Sequence, residues 1–131
     1  MSGLIVVDTD ILIDAGRETQ AAINFLQSAE QDSILAISAV TKMELLIGCR
    51  NKTELRAVEQ FLARFQLVKL DESITDTAID LLRRYRLSHG LLIPDALIAA
   101  TTIVFGASLA SRNQKDYRFI DGLTLLALKF Q

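Results

Sequence analysis

With one cysteine, one histidine, one proline and no tryptophan among 131 residues, this chain lacks the groups that several common chemistries require. Cys49 has no partner for an internal disulfide, which points to a reducing compartment, so the cytoplasm is the expected location. One His and one Cys cannot furnish an ordinary zinc site. A histidine pair working as general acid and base is excluded too, and His89, beside Gly90 at an expected helix end, reads as a surface residue. No apolar run reaches the ~18 residues of a membrane span. The uncharged stretch from Ala96 to Ala110 is shorter, and Gly106 interrupts it, so no membrane role is expected. The opening MSGLIVVDTD lacks a basic region and meets Asp8 after a short apolar run, so it reads as a strand and not a signal peptide. Positive charge is not in excess either: 14 Lys and Arg against 16 Asp and Glu give a net charge of −2 and a pI near 5.3. Any contact with nucleic acid must therefore be local.

What the chain has is apolar residues, 50 % of the total, with a mean hydropathy of +0.31. A core is assured, and the apolar surface left over leads us to expect a partner or a homodimer. One domain over residues 1–131 is expected, of a size that buries roughly two-thirds of the surface its unfolded chain exposes. Short aliphatic or β-branched runs alternate with segments of helical period, the pattern of a parallel α/β fold. The expected strands are Leu4 to Val7, Ser33 to Ile37, Leu67 to Leu70, Ala107 to Ser111 and one near Leu123 to Ala127. Between them, helices are expected from about Thr9, over Thr19 to Gln31, from a Ser38 cap to Cys49, and over Lys52 to Phe65. A long helix capped by Ser73 should end near His89 and Gly90, and one opened by Pro94 should run through Phe105. The basic cluster Arg83, Arg84 and Arg86 reads as a solvated helix face.

Four acids stand where this scheme makes a lone carboxylate costly. Asp8 ends the first strand at its carboxyl edge, where open parallel sheets place ligands; capping the next helix is the plainer alternative. Glu44 shares a stripe with Val40, Ile47 and Gly48 that is expected to face the core. A capping box from Thr41 to Glu44 is the alternative, but Ser38 is the better cap. Asp95 follows Pro94 in a first helical turn, where the helix dipole alone would favour it; Ile98, Ala99 and Thr102 continue its face inward. Asp116 lies in the loop from Asn113 to Arg118, where an acid is unremarkable on its own. The scheme nevertheless puts all four beside one another. At a spacing of ~4 Å and an effective dielectric near 20, each pair repels by roughly 4 kcal/mol. A divalent cation reverses that sign, and oxygen-only ligands select Mg²⁺ or Mn²⁺.

The segments IVVDTDILID, SAVTKMELLIG, IPDALIAATT and ASRNQKDYRFIDGLTL resemble, in order and spacing, the successive motifs of the PIN-domain family, most closely its VapC-type toxins of prokaryotic toxin–antitoxin pairs. The resemblance covers nearly the whole chain. It implies a three-layer α/β/α sandwich with a central parallel sheet, Mg²⁺-dependent endoribonuclease activity on RNA, and a VapB-type antitoxin as protein partner. Asp8, Glu44 and Asp95 match the family's three acids; Asp116 takes the fourth place, with Asn113 as a polar neighbour. By that likeness the four acids hold the ion and form the catalytic set, with one or two ions left open. Thr9 and Ser111 are candidate hydroxyl donors to ordered water or phosphate, and Arg112, Lys115 and Arg118 candidate contacts to RNA phosphates. Two rival readings are a non-catalytic PIN-like binding module and a haloacid-dehalogenase-like phosphatase using Asp8 as nucleophile and Asp10 as acid/base.

Overall fold

The computed structural model describes residues 3–128. In chain order the elements are β1 (Leu4–Val7), α1 (Thr9–Gly16), α2 (Gln20–Asp32), β2 (Ile34–Ser38), α3 (Ala39–Ile47), α4 (Lys52–Leu62), β3 (Gln66–Val68), α5 (Glu72–His89), α6 (Ile93–Val104), β4 (Ser108–Ala110), a 3-10 turn (Gln114–Asp116) and β5 (Thr124–Leu125). All five strands are parallel, in the order β3-β2-β1-β4-β5. Because side chains alternate along a strand, the sheet feeds two cores. Val6, Ala36 and Leu109 pack with residues of α5 and α6, whereas Val7, Leu35, Ile37 and Ala110 pack with residues of α1, α2 and α4. The result is the expected α/β/α sandwich.

β1 is central, pairing with β2 on one side and β4 on the other. The chain's path therefore reverses across it, and such a switch point opens a crevice beyond the strands' carboxyl ends. The β1–β4 pairing continues past the strand, since the Asp8 N–H donates to the Ala110 carbonyl at 2.9 Å. Asp8 is thereby fixed at the mouth of that crevice.

Some boundaries differ from expectation for local reasons. The α5 cap is Asp71, whose carboxylate accepts from the Ile74 N–H at 2.9 Å, not Ser73, and the helix starts at Glu72. It ends at Gly90, whose φ of 70° suits a residue without Cβ, with the Gly90 N–H donating to the Arg86 carbonyl. β3 stops at Val68, and Leu70 is exposed. The α4 stripe is buried only at its end, at Leu62 and Phe65, while Leu55 is exposed. Arg83, Arg84 and Arg86 are all exposed, as expected of a solvated face, with Arg84 near Asp80 and Asp121. Among the described residues no helix is long and apolar enough to cross a membrane.

Candidate active site

Asp8 is only 5 % exposed, and both of its oxygens are engaged. Oδ1 accepts the Thr9 N–H at 2.8 Å and caps α1; Oδ2 accepts the Ser111 hydroxyl at 2.7 Å across the β1–β4 seam. Capping and a place in the acid cluster are thus compatible, one oxygen serving each. Burial, and then the nearby charge of Asp10, push the Asp8 carboxyl up to about 6, against the hydrogen bonds from Ser111 and Thr9.

Asp10, given a role from sequence only in the rival phosphatase reading, lies close enough to Asp8 for their charges to interact. Its Oδ1 accepts from the Ile11 N–H at 2.8 Å, and its Oδ2 accepts from the backbone N–H groups of Arg112 at 3.0 Å and Asn113 at 3.1 Å. It therefore ties the loop after β4 to α1 and orients the segment that carries Asp116. Nothing in the sequence couples positions so far apart, so only the folded chain discloses this role. Burial raises the Asp10 carboxyl as well, although these N–H donors oppose it.

Glu44 requires a correction. The buried positions of α3 are Val40 and Thr41, whereas Ile47 is 84 % exposed and Glu44 itself is exposed. The helix is short and begins directly at the Ser38 cap on the strand end, so its inward face is set by that first turn and not by the Ile47 end. Glu44 still turns toward the site. Its Oε1 accepts the Thr9 hydroxyl at 2.7 Å, and the same hydroxyl lies 3.0 Å from Thr41 Oγ1. Thr9 and Ser111 thus both spend their hydroxyls on carboxylates, where free donors to water or phosphate were expected.

Asp95 is half-buried in the first turn of α6, and its Oδ1 accepts the Tyr117 hydroxyl at 3.2 Å. Burial raises its carboxyl, with the Tyr117 bond opposing and the charges of Asp116, Glu44 and Asp10 adding to the rise. Tyr117 was missed from sequence. It is 1 % exposed, and burial together with the charges of Asp8 and Asp95 pushes its phenol far upward, so it stays a donor. The signal that could have found it is general: a buried tyrosine hydroxyl wants a partner, and this one directly follows a candidate acid. Asp116 is exposed at the end of the 3-10 turn, on the rim beside Asp95.

The fold therefore brings Asp8, Asp10, Glu44, Asp95 and Asp116 to one edge, where Asp95 feels Asp116, Glu44 and Asp10, and Asp8 feels Asp10. Among the described residues no three His, Cys, Asp or Glu side chains are grouped so that they could hold a metal ion by themselves. An oxygen-preferring ion that keeps several waters needs no such group, because it takes only one or two carboxylates directly. Carboxylates raised by burial and by one another, with oxygen donors alone, suit such a cation. The basic residues divide. Arg112 is committed to Asp14, Nε to Oδ2 at 2.9 Å, while Lys115 and Arg118 are exposed. The side chain of Asn113 is exposed, and its backbone N–H serves Asp10.

Residues 5–122 match the PIN domain family. The chain belongs to the PIN-domain family. This PIN domain is 43 % identical over 111 residues to "Ribonuclease VapC10" of Mycobacterium tuberculosis, covering 84 % of this chain and 83 % of that one. Its fold is similar to the structure of VapBC2 from Rickettsia felis bound to a DNA fragment from their promoter, with a TM-score of 0.81 at 25 % identity, over 96 % of this chain and 99 % of that one. It is also similar to a toxin–antitoxin complex from Klebsiella pneumoniae, with a TM-score of 0.80 at 28 % identity, over 94 % and 96 % of the two chains.

Proposed function

We propose that this PIN domain is a VapC-type toxin: a metal-dependent endoribonuclease that cuts RNA phosphodiesters with Mg²⁺ or Mn²⁺ held at the Asp8–Asp95 edge. The observation that carries the reading is the gathering of carboxylates from β1, α3, α6 and the loop after β4 into mutual repulsion at the sheet's switch point. The ribonuclease name of the Mycobacterium tuberculosis relative supports it.

Asp8 and Asp95 would hold the ion, with Glu44 and Asp116 completing its surroundings. When bound, a dication neutralises phosphate charge and makes water acidic enough to attack at neutral pH. The chain's own residues do the positioning. Ser111 and Thr9 fix Asp8, Tyr117 fixes Asp95, Thr9 fixes Glu44, and Asp10 holds the loop that presents Asp116. Lys115 and Arg118, exposed on that loop, are placed to contact RNA phosphates. The phosphatase reading finds no support in the family match, which is to the PIN domain over residues 5–122.

The protein partner is a VapB-type antitoxin, in keeping with the Klebsiella pneumoniae complex. A groove of about 390 Å³ lined by Ile13, Arg17, Glu44, Leu45 and Val58 borders the acids and offers such a peptide both apolar and charged contacts. The exposed Met43, Ile47 and Leu87 are the apolar surface that antitoxin and a homodimer contact would cover. The cytoplasm, where RNA and a reduced Cys49 coexist, is the site of action.

The test is direct. Purified protein should cut RNA with Mg²⁺ or Mn²⁺ and stop on addition of EDTA; cutting that survives EDTA ends the proposal. Tyr117→Phe should weaken Mn²⁺ binding roughly tenfold in calorimetric titration, as loss of a ligand's supporting hydrogen bond does. Binding of Mn²⁺ at unchanged strength would show that Asp95 needs no such support.

A further inference from the structure

The chain holds six Phe, two Tyr, no Trp and one His, yet three of these rings meet beside the acid cluster. His89, at the end of α5, stacks on Phe119 with ring centroids 4.2 Å apart and planes 10° from parallel. Tyr85 meets both edge-on, at 5.3 Å from Phe119 and 6.0 Å from His89. The assembly is pinned. The Tyr85 hydroxyl accepts the Asp121 N–H at 3.1 Å, and His89 Nδ1 lies 2.7 Å from the Ser88 hydroxyl.

His89 and Phe119 border the same depression as Asp95, Asp116 and Lys115. His89 remains exposed, so its burial contributes little to the fold, and only one of its faces is taken by Phe119. A flat, oriented ring standing open next to a phosphodiester-cutting centre is the arrangement by which proteins hold unpaired bases. The neighbouring Lys115 supplies the charge that a flanking phosphate requires.

We infer that the His89–Phe119 stack is a platform for an unpaired nucleobase next to the phosphate that is cut, with Lys115 on an adjoining phosphate. The inference rests on the ribonuclease reading and adds to it the surface that receives a base. Stacking accepts any base, so an aromatic ring of either kind at position 89 should serve.

The test is binding, in Ca²⁺ buffer, of a short random-sequence RNA and of a ribose-phosphate strand of the same length without bases. Wild-type protein should prefer the base-bearing strand. His89→Ala should lose about tenfold on that strand and nothing on the abasic one, and His89→Phe should restore the loss. Equal binding of both strands by wild type, an unchanged His89→Ala, a loss equal on both strands, or no rescue by phenylalanine each overturns the platform. Loss of antitoxin binding in His89→Ala with base preference intact overturns it too, in favour of a peptide contact. Cleavage by wild-type protein is scored separately: RNA cutting without base preference removes the platform alone, whereas absence of metal-dependent cutting removes the ribonuclease reading.

Discussion

Asp95→Asn is expected to lower RNA cleavage by roughly a thousandfold, equivalent to about 4 kcal/mol of transition-state stabilisation, the scale of a lost metal-borne effect. The substitution keeps the shape, and the amide oxygen can still accept the Tyr117 hydroxyl that now meets Asp95 Oδ1. The lost charge is one that Asp116, Glu44 and Asp10 repel. Without metal, the variant should therefore melt at the same temperature as the wild type or higher. Expressed in cells, it should lose toxicity and still bind its antitoxin. A non-catalytic binding module predicts the opposite, a cellular effect that survives the substitution. A sharp drop in melting temperature would instead show that Asp95 stabilises the apo fold, and the repulsion argument would fail. Asp8→Asn should behave likewise, because a rotated Ser111 hydroxyl can accept from the new amide where it now donates to the carboxylate.

The elements that carry the site were legible because each has a local cause. A wholly apolar β1 ending in an acid, Ser38 after a strand, and Pro94 before Asp95 all speak through neighbouring residues. Where a position depends on how a helix is rolled against the sheet, sequence spacing misled. Glu44 shares a 3.6-residue stripe with Ile47, yet α3 buries Val40 and Thr41. What stayed hidden were the bonds between distant segments. Asp10 reaching the Arg112 and Asn113 N–H groups, and Tyr117 reaching Asp95, need the β1–β4 pairing and the α6 start to exist first. The four acids could be named as candidates, with Thr9 and Ser111 as hydroxyls near them; that those hydroxyls bond to carboxylates, and that Asp10 and Tyr117 share the task, could not.

Without metal, the melting temperature should fall as pH rises from about 4 to about 6. Asp8 titrates near 3.8 in the unfolded chain and about 6 in the folded one, so across this window the native state binds more protons. Stability is then greatest below the unfolded value and is lost as pH climbs through the folded one. A shift of this size corresponds to roughly 3 kcal/mol, or on the order of 10 °C for a chain of this length. Asp10 and Asp95, also raised, steepen the fall. Glu54, lowered by Arg50, acts in the other direction, but this ion pair lies at the surface and is screened. Asp8→Asn should flatten most of the slope, which assigns it. Mg²⁺ or Mn²⁺ should raise the melting temperature at pH 7 and have little effect at pH 5, because a protonated Asp8 must lose its proton before it can hold a cation. A wild-type melting temperature that is level from pH 4 to 6.5, or that rises, would mean that Asp8 is neither so dry nor so crowded by Asp10. The case for a cation at this edge would then lose its electrostatic basis.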